Sequence, residues 1–120
     1  MATSKDLLRE RLGRYREITI RVIGRKSGRK ISIPVWFVLE GETVYLLPVS
    51  GSKSQWYRNV VENPVMGIAA RGAEGEFRTA AVTGAGAVKA VVEKFREKYG
   101  AGDVKKYYSR LDVAVRVELE

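Results

Sequence analysis

The feature that most constrains this chain is a succession of short apolar runs, each soon interrupted by glycine, proline or a charged turn. Ile18, Ile20 and Val22 alternate with Thr19, Arg21 and Ile23, the period of two that marks a strand. Further strands are predicted at Ile31–Leu39, Thr43–Val49, Val65–Ala70, Glu76–Thr83 and Val113–Leu119. Glu40-Gly41-Glu42 turns the second into the third, and Gly72–Gly75 joins the fourth to the fifth. Pro34 cannot donate to a ladder, so the strand around it belongs at an edge or a bulge.

Between these runs the period changes to that of a helix. A first helix is predicted over Lys5–Tyr15, capped by Thr3 or Ser4, with Leu8, Leu12 and Tyr15 on one stripe and Gly13 weakening its last turn. A short helix is expected over Ser54–Glu62, stopped by Asn63-Pro64. A stronger one covers Ala85–Tyr99, with Val88, Val91, Val92, Phe95 and Tyr99 on one face. Asp103 is placed to cap a last helical turn through Tyr108. Six strands joined mainly by short turns imply a mainly β fold with flanking helices, a six-stranded antiparallel barrel. The βαβ alternation of a doubly wound sheet is absent, as is a G-x-G-x-x-G after the first strand.

Composition narrows the chemistry. The 120 residues fit one domain, 1–120, and contain neither histidine nor cysteine. That removes the usual zinc ligands, thiol nucleophiles and Ser-His-Asp triads, so no metal site is expected and a bound cofactor becomes the natural carrier of any chemistry. The lack of disulfides, of an apolar leader and of any apolar run near the ~20 residues that span a bilayer predicts a cytoplasmic protein without a membrane span. Net charge is +8, concentrated at one end: residues 1–30 hold ten Lys/Arg against three Asp/Glu. An anionic partner and a merely solubilising surface both account for that surplus. Lys5, Arg9 and Arg16 fall along one edge of the predicted first helix, with Arg11 and Arg14 on the other side.

Three segments carry a further signal. In Gly24-Arg25-Lys26-Ser27-Gly28-Arg29-Lys30, glycines permit backbone amides to converge on an anion, while Arg25 and Arg29 can grip phosphate oxygens and Lys26 adds a compact charge. The bland alternative is an exposed basic turn. In Ser50-Gly51-Ser52-Lys53 a loop of small residues enters a helix, whose N-terminus offers free amides, and Trp56 and Tyr57 follow as flat side chains. Those two rings serve equally well as packing onto the barrel. In Pro34-Val35-Trp36-Phe37, neighbours on a strand face opposite ways, so one of Trp36 and Phe37 belongs to the core and the other to a ligand wall.

Together, Val22-Ile23-Gly24-Arg25-Lys26-Ser27-Gly28-Arg29, Ile33-Pro34-Val35-Trp36-Phe37, and Trp56-Tyr57-Arg58-Asn59 followed by Glu62-Asn63-Pro64 resemble the deazaflavin-dependent nitroreductase family. That family lies within the flavin and deazaflavin oxidoreductases with a split, FMN-binding-like β-barrel. The match runs from about residue 18 to 83, and Val113–Glu120 is similar to the family's closing strand. The resemblance implies a homodimer whose cofactor phosphate is held by Arg25, Lys26, Ser27, Gly28 and Arg29. By the same analogy Pro34, Val35, Trp36, Phe37, Ser50, Gly51, Ser52, Lys53, Trp56, Tyr57 and Asn59 border the ring and its chain. Relatives use the deazaflavin coenzyme F-420, a two-electron hydride carrier; others use FMN, and some bind haem. The chain departs from the family in a shorter loop before Trp56, in Arg58 where histidine is common, and in Ile31 where a basic residue is common.

The function implied is hydride transfer between reduced F-420 and a small acceptor such as a quinone or nitro compound. The protein orients the ring and excludes water, with Tyr57 a candidate proton donor and Lys53 either a charge stabiliser or a solvated lysine. The alternative is a carrier of F-420, FMN or haem without turnover. Nucleic-acid binding has less support, because the cations concentrate away from Trp36, Trp56 and Tyr57.

Overall fold

The computed structural model describes residues 4–119, with side chains from Leu7 onward. Helix α1 (Ser4–Leu12) leads into β1 (Glu17–Ile23), β2 (Lys30–Trp36), β3 (Val38–Glu40) and β4 (Thr43–Leu46). A single 3-10 turn (Gly51–Lys53) precedes α2 (Gln55–Glu62), then β5 (Val65–Ala70) and β6 (Ala73–Val82). Helices α3 (Ala85–Tyr99) and α4 (Ala101–Tyr107) precede the closing strand β7 (Ala114–Glu118). Strand order is β2-β1-β5-β6-β7-β4-β3, antiparallel at every step.

The barrel is split because two stretches of chain serve both halves of the sheet. In β6, Ala73–Arg78 pair with β5, while Thr79–Val82 pair with β7. The expected strand Ile31–Leu39 likewise divides: β2 pairs with β1, β3 pairs with β4, and Phe37 is the corner between them. Seven strands therefore stand where the periodicity gave six. The two end strands of the sheet are consecutive in the chain, so the sheet curls back on itself and closes. Pro34 lies on β2, which pairs only with β1, where its missing N–H costs no ladder bond.

Alternation on the strands fills two cores. Ile18, Ile20 and Val22 of β1 point into the barrel with Met66, Ile68, Phe77, Val115 and Val117, and α1 plugs it with Leu8 and Leu12. On the other face of the second half-sheet, Val38, Leu47 and Ala114 meet Val88, Val91, Val92, Phe95 and Tyr99 of α3 and Val104 of α4. Each such aliphatic side chain contributes about 1.5–3 kcal/mol on burial.

Several boundaries move for local reasons. Helix α1 stops at Leu12, before the expected Tyr15, at the low-propensity Gly13. Strand β4 ends at Leu46 rather than Val49, just ahead of Pro48. The β5–β6 turn is Arg71-Gly72, at φ 50 and 89, the pair of positive values that a two-residue I′ hairpin requires. Gly75 lies inside β6 instead, where a Cβ would stand 2.7 Å from the Phe77 ring. Asp103 sits in the first turn of α4, and Gly100 at φ 93 separates that helix from α3. Thr3 and the side chains of Ser4 and Lys5 lie outside the described residues. The expected cationic edge of α1 does not form there: Arg9 pairs with Glu42, and Arg16, beyond the helix, lies over the Tyr99 ring. Among the described residues no helix is long and apolar enough to cross a membrane, and no cluster of metal-ligating side chains occurs.

Candidate functional site

The corner at Phe37 decides which aromatic becomes a wall. Phe37 is fully buried, its N–H donating to Tyr99 Oη at 3.0 Å. That hydroxyl proton is shared between the carbonyls of Arg16 (2.6 Å) and Phe37 (2.7 Å), and Lys98 Nζ also donates to the Phe37 carbonyl at 2.8 Å. The C-terminus of α3 thus satisfies peptide groups that a continuous strand would have paired in a ladder. Trp36, turned the other way, stacks on Tyr99 with ring centroids 4.3 Å apart and 7° between planes. Tyr107 meets its indole edge-on at 5.5 Å, and Tyr108 lies tilted at 6.1 Å.

Beside Trp36 opens a cavity of about 580 Å³. Its walls include Ile33, Pro34, Val35, Trp36, Trp56 and Leu47, with Tyr107 and Tyr108 closing one side. Ser50, Ser54 and Gln55 give it a polar end where α2 begins. No side chain caps that helix, because Ser54 Oγ accepts instead from the Ser50 amide at 2.9 Å. The first-turn amides of α2 therefore lack a side-chain cap beside the cavity, with the positive end of the helix dipole. Burial raises the Tyr108 phenol far above its ordinary range, with Tyr99 adding to the shift.

The basic loop reaches this cavity through one residue. Arg25 donates to Gln55 Oε1 at 2.8 Å and to Asn59 Oδ1 at 2.7 Å, and its amide also bonds Asn59 at 3.1 Å. Asn59 is the buried polar residue of the core, and Arg25 is what satisfies it. The loop closes on itself: Gly24 N donates to Arg29 O, Gly28 N to Gly24 O, and Arg29 N to Ser27 Oγ. These three amides are spent internally and are not open to an anion. Lys26 and Arg29 remain exposed, with no side-chain partner among the described residues.

Of the residues expected to border a ring, the structure brings Pro34, Val35, Trp36, Ser50 and Trp56 to one cavity. The others lie off it. Phe37 is core, and Tyr57 is buried in the barrel, its pKa raised by burial and then by Asp112. Gly51 and Ser52 are clamped by Asp112, which accepts from Ser52 N at 2.9 Å and Ser52 Oγ at 2.5 Å. Those bonds hold the Asp112 carboxyl down at about 2. Lys53 is exposed, and Asn59 serves Arg25. Sequence reasoning missed Gln55, Tyr107 and Tyr108. The Tyr-Tyr pair was visible as a motif, but only the fold carries it to β2.

A family profile described as an uncharacterized protein conserved in bacteria, DUF2255, matches residues 9–116. The chain belongs to this family. No curated protein matches the DUF2255 chain. Among solved structures it is similar to an F-420-H2-dependent reductase, at 20% identity and TM-score 0.67, covering 86% of this chain and 94% of that one. It is similar also to HutZ, the heme storage protein from Vibrio cholerae, at 16% identity and TM-score 0.72, covering 95% and 88%. A third, solved as a domain-swapped dimer, shares 19% identity at TM-score 0.67, covering 97% and 100%. The split barrel is thus shared with reductases and haem proteins alike, and the motif resemblance to the nitroreductases holds at the level of that fold.

Proposed function

We propose that this DUF2255 protein binds a phosphorylated flavin or deazaflavin, with coenzyme F-420 first and FMN second, and serves as an oxidoreductase toward a small acceptor. The observation that carries the reading is the aromatic cavity joined to the basic loop by the Arg25–Gln55 contact. The cavity lies within the ~300–1,000 Å³ of ordinary small-molecule sites. Trp36 and Trp56 would border the ring, Ser50, Ser54 and Gln55 would meet its polar edge, and Lys26 and Arg29 would take the phosphate. The cofactor would supply hydride chemistry, which no amino-acid side chain can perform. Its own residues would exclude water and fix orientation.

The donor set fits haem less well. With no histidine or cysteine, an axial ligand would have to be a tyrosine, methionine or lysine. Burial keeps the Tyr108 phenol protonated, leaving Tyr107 as the exposed phenol on the wall.

Both tryptophans of the chain line the cavity, so intrinsic fluorescence reports directly on occupancy. Titration with F-420, FMN and haemin should quench it saturably for the flavin-type ligands, at micromolar concentrations or below. Binding of haemin alone overturns the reading. Binding of F-420 or FMN, without reoxidation of the reduced form by a quinone or nitro compound, replaces the oxidoreductase with a carrier. Pairing of two copies is part of the same proposal.

A further inference from the structure

Strand β1 opens by pairing Glu17 with Trp36, and cross-strand partners share a face. Glu17 lines the aromatic cavity beside that indole and is the one charged side chain among the described lining residues. It is exposed and has no ion-pair partner among the described residues. Arg16 and Lys98 gather instead at the Tyr99 ring, each 5.1 Å from its centre, and neither lines the cavity. The planes of Trp36 and Tyr107 stand at 77°, two sides of a box, and Tyr108 and Trp56 add further walls. One cation of the chain, Lys106, already lies over the Tyr107 ring at 5.3 Å. The basic loop is remote from this end. Lys30 and Trp36 close opposite ends of β2, roughly 20 Å apart along an extended strand.

We propose that the Glu17 end of the cavity binds a small organic cation, of the quaternary ammonium or N-alkylated aromatic class. The faces of Trp and Tyr rings are negative, so they attract a cation most strongly where water is excluded. The Glu17 carboxylate supplies the matching charge, and it sets a like charge against any carboxylate ligand that enters at this end. A cation covered by alkyl groups brings no N–H for these largely apolar walls to satisfy. A metal ion is a poor fit, because one carboxylate falls far short of the oxygen shell that a hard cation demands. The proposal goes beyond the cofactor reading: a flavin phosphate would lie toward Lys26 and Arg29 at the loop end, and the cation at the other.

Choline and its neutral carbon isostere, 3,3-dimethylbutanol, are the probes, titrated separately into the full chain. Binding is followed through the two tryptophan indole N–H signals in proton–nitrogen correlation spectra, both of which come from the cavity. Choline is expected to move them saturably, at concentrations at least about tenfold below those the alcohol needs. E17Q keeps the side-chain shape at an exposed position and should remove most of that preference. Tyr107→Leu, which takes away one side of the box, should weaken choline binding several-fold. Indole signals that choline leaves in place, or equal affinity for the two probes, overturn the proposal. So does choline binding that is unchanged in both E17Q and Tyr107→Leu. The same protein titrated with F-420 and FMN separates the two readings. Choline binding without cofactor binding overturns the cofactor reading alone, and cofactor binding without a preference for choline overturns this one alone.

Discussion

A single hydroxyl, on Tyr99, governs both the barrel corner and the orientation of the cavity wall. Tyr99→Phe keeps the ring under Trp36 but removes the partner of the Phe37 amide. Leaving that buried group unmet should cost about 1–3 kcal/mol, read as a lower urea midpoint. Beside it the Lys98 ammonium lies 3.7 Å from the centre of the Phe37 ring, which favours its charge. Burial and then Arg16 outweigh that, holding its pKa at about 8 against an ordinary 10.5. Between those values the unfolded chain binds more protons than the native one, so stability should rise with pH from about 8. Buried Tyr99 and Tyr108, with raised pKa values, act in the opposite direction above 10. Urea midpoints between pH 8 and about 10 should climb in the wild type and stay flat in Lys98→Met. In the basic loop the two arginines should separate. Arg29→Ala should weaken cofactor binding by ~1.5–3 kcal/mol with stability unchanged, as befits an exposed charge that meets only the ligand. Arg25→Ala should lower stability too, because the buried Asn59 Oδ1 then keeps only the backbone amide of residue 25 as its donor from the loop.

At the level of elements, alternation and turn chemistry carried most of the information. Helix α3 runs over Ala85–Tyr99, as its apolar stripe requires, and β5 over Val65–Ala70. What stayed hidden was the break at Phe37. Trp36-Phe37-Val38 is apolar throughout and contains no breaker, and the groups that bend the chain there come from α3, 62 residues away in the case of Tyr99. The same holds for the bend in β6. Thr79 marks the change of partner from β5 to β7, and its hydroxyl oxygen is buried without a hydrogen-bond partner among the described residues. Thr79→Val retains the branched shape and removes the unmet group. It should raise stability by about 1 kcal/mol, a few degrees in Tm, measured by calorimetry.

For the whole molecule, the sequence marked out half of the cavity and left the other half unmarked. Pro34, Val35, Trp36, Ser50 and Trp56 lie in segments whose glycines, proline and aromatics announce them. Tyr107 and Tyr108 end a helix in a stretch read only for its helical turn, and Gln55 carries no local signal. Long-range closure also sets the order in which the molecule can be built. Strand β7 fills the gap between β6 and β4, pairing Thr43 with Glu118 and Val82 with Ala114. While a ribosome is still translating the segment ahead of Ala114, both neighbours present open hydrogen-bonding edges, and the barrel exists as two unjoined pieces. The β2-β1-β5-β6 half can pair during synthesis, but the β3–β4 hairpin joins it only once β7 is available. A nascent chain stalled before that point would be a sticky one, and the demand it places on chaperones is written into the position of β7.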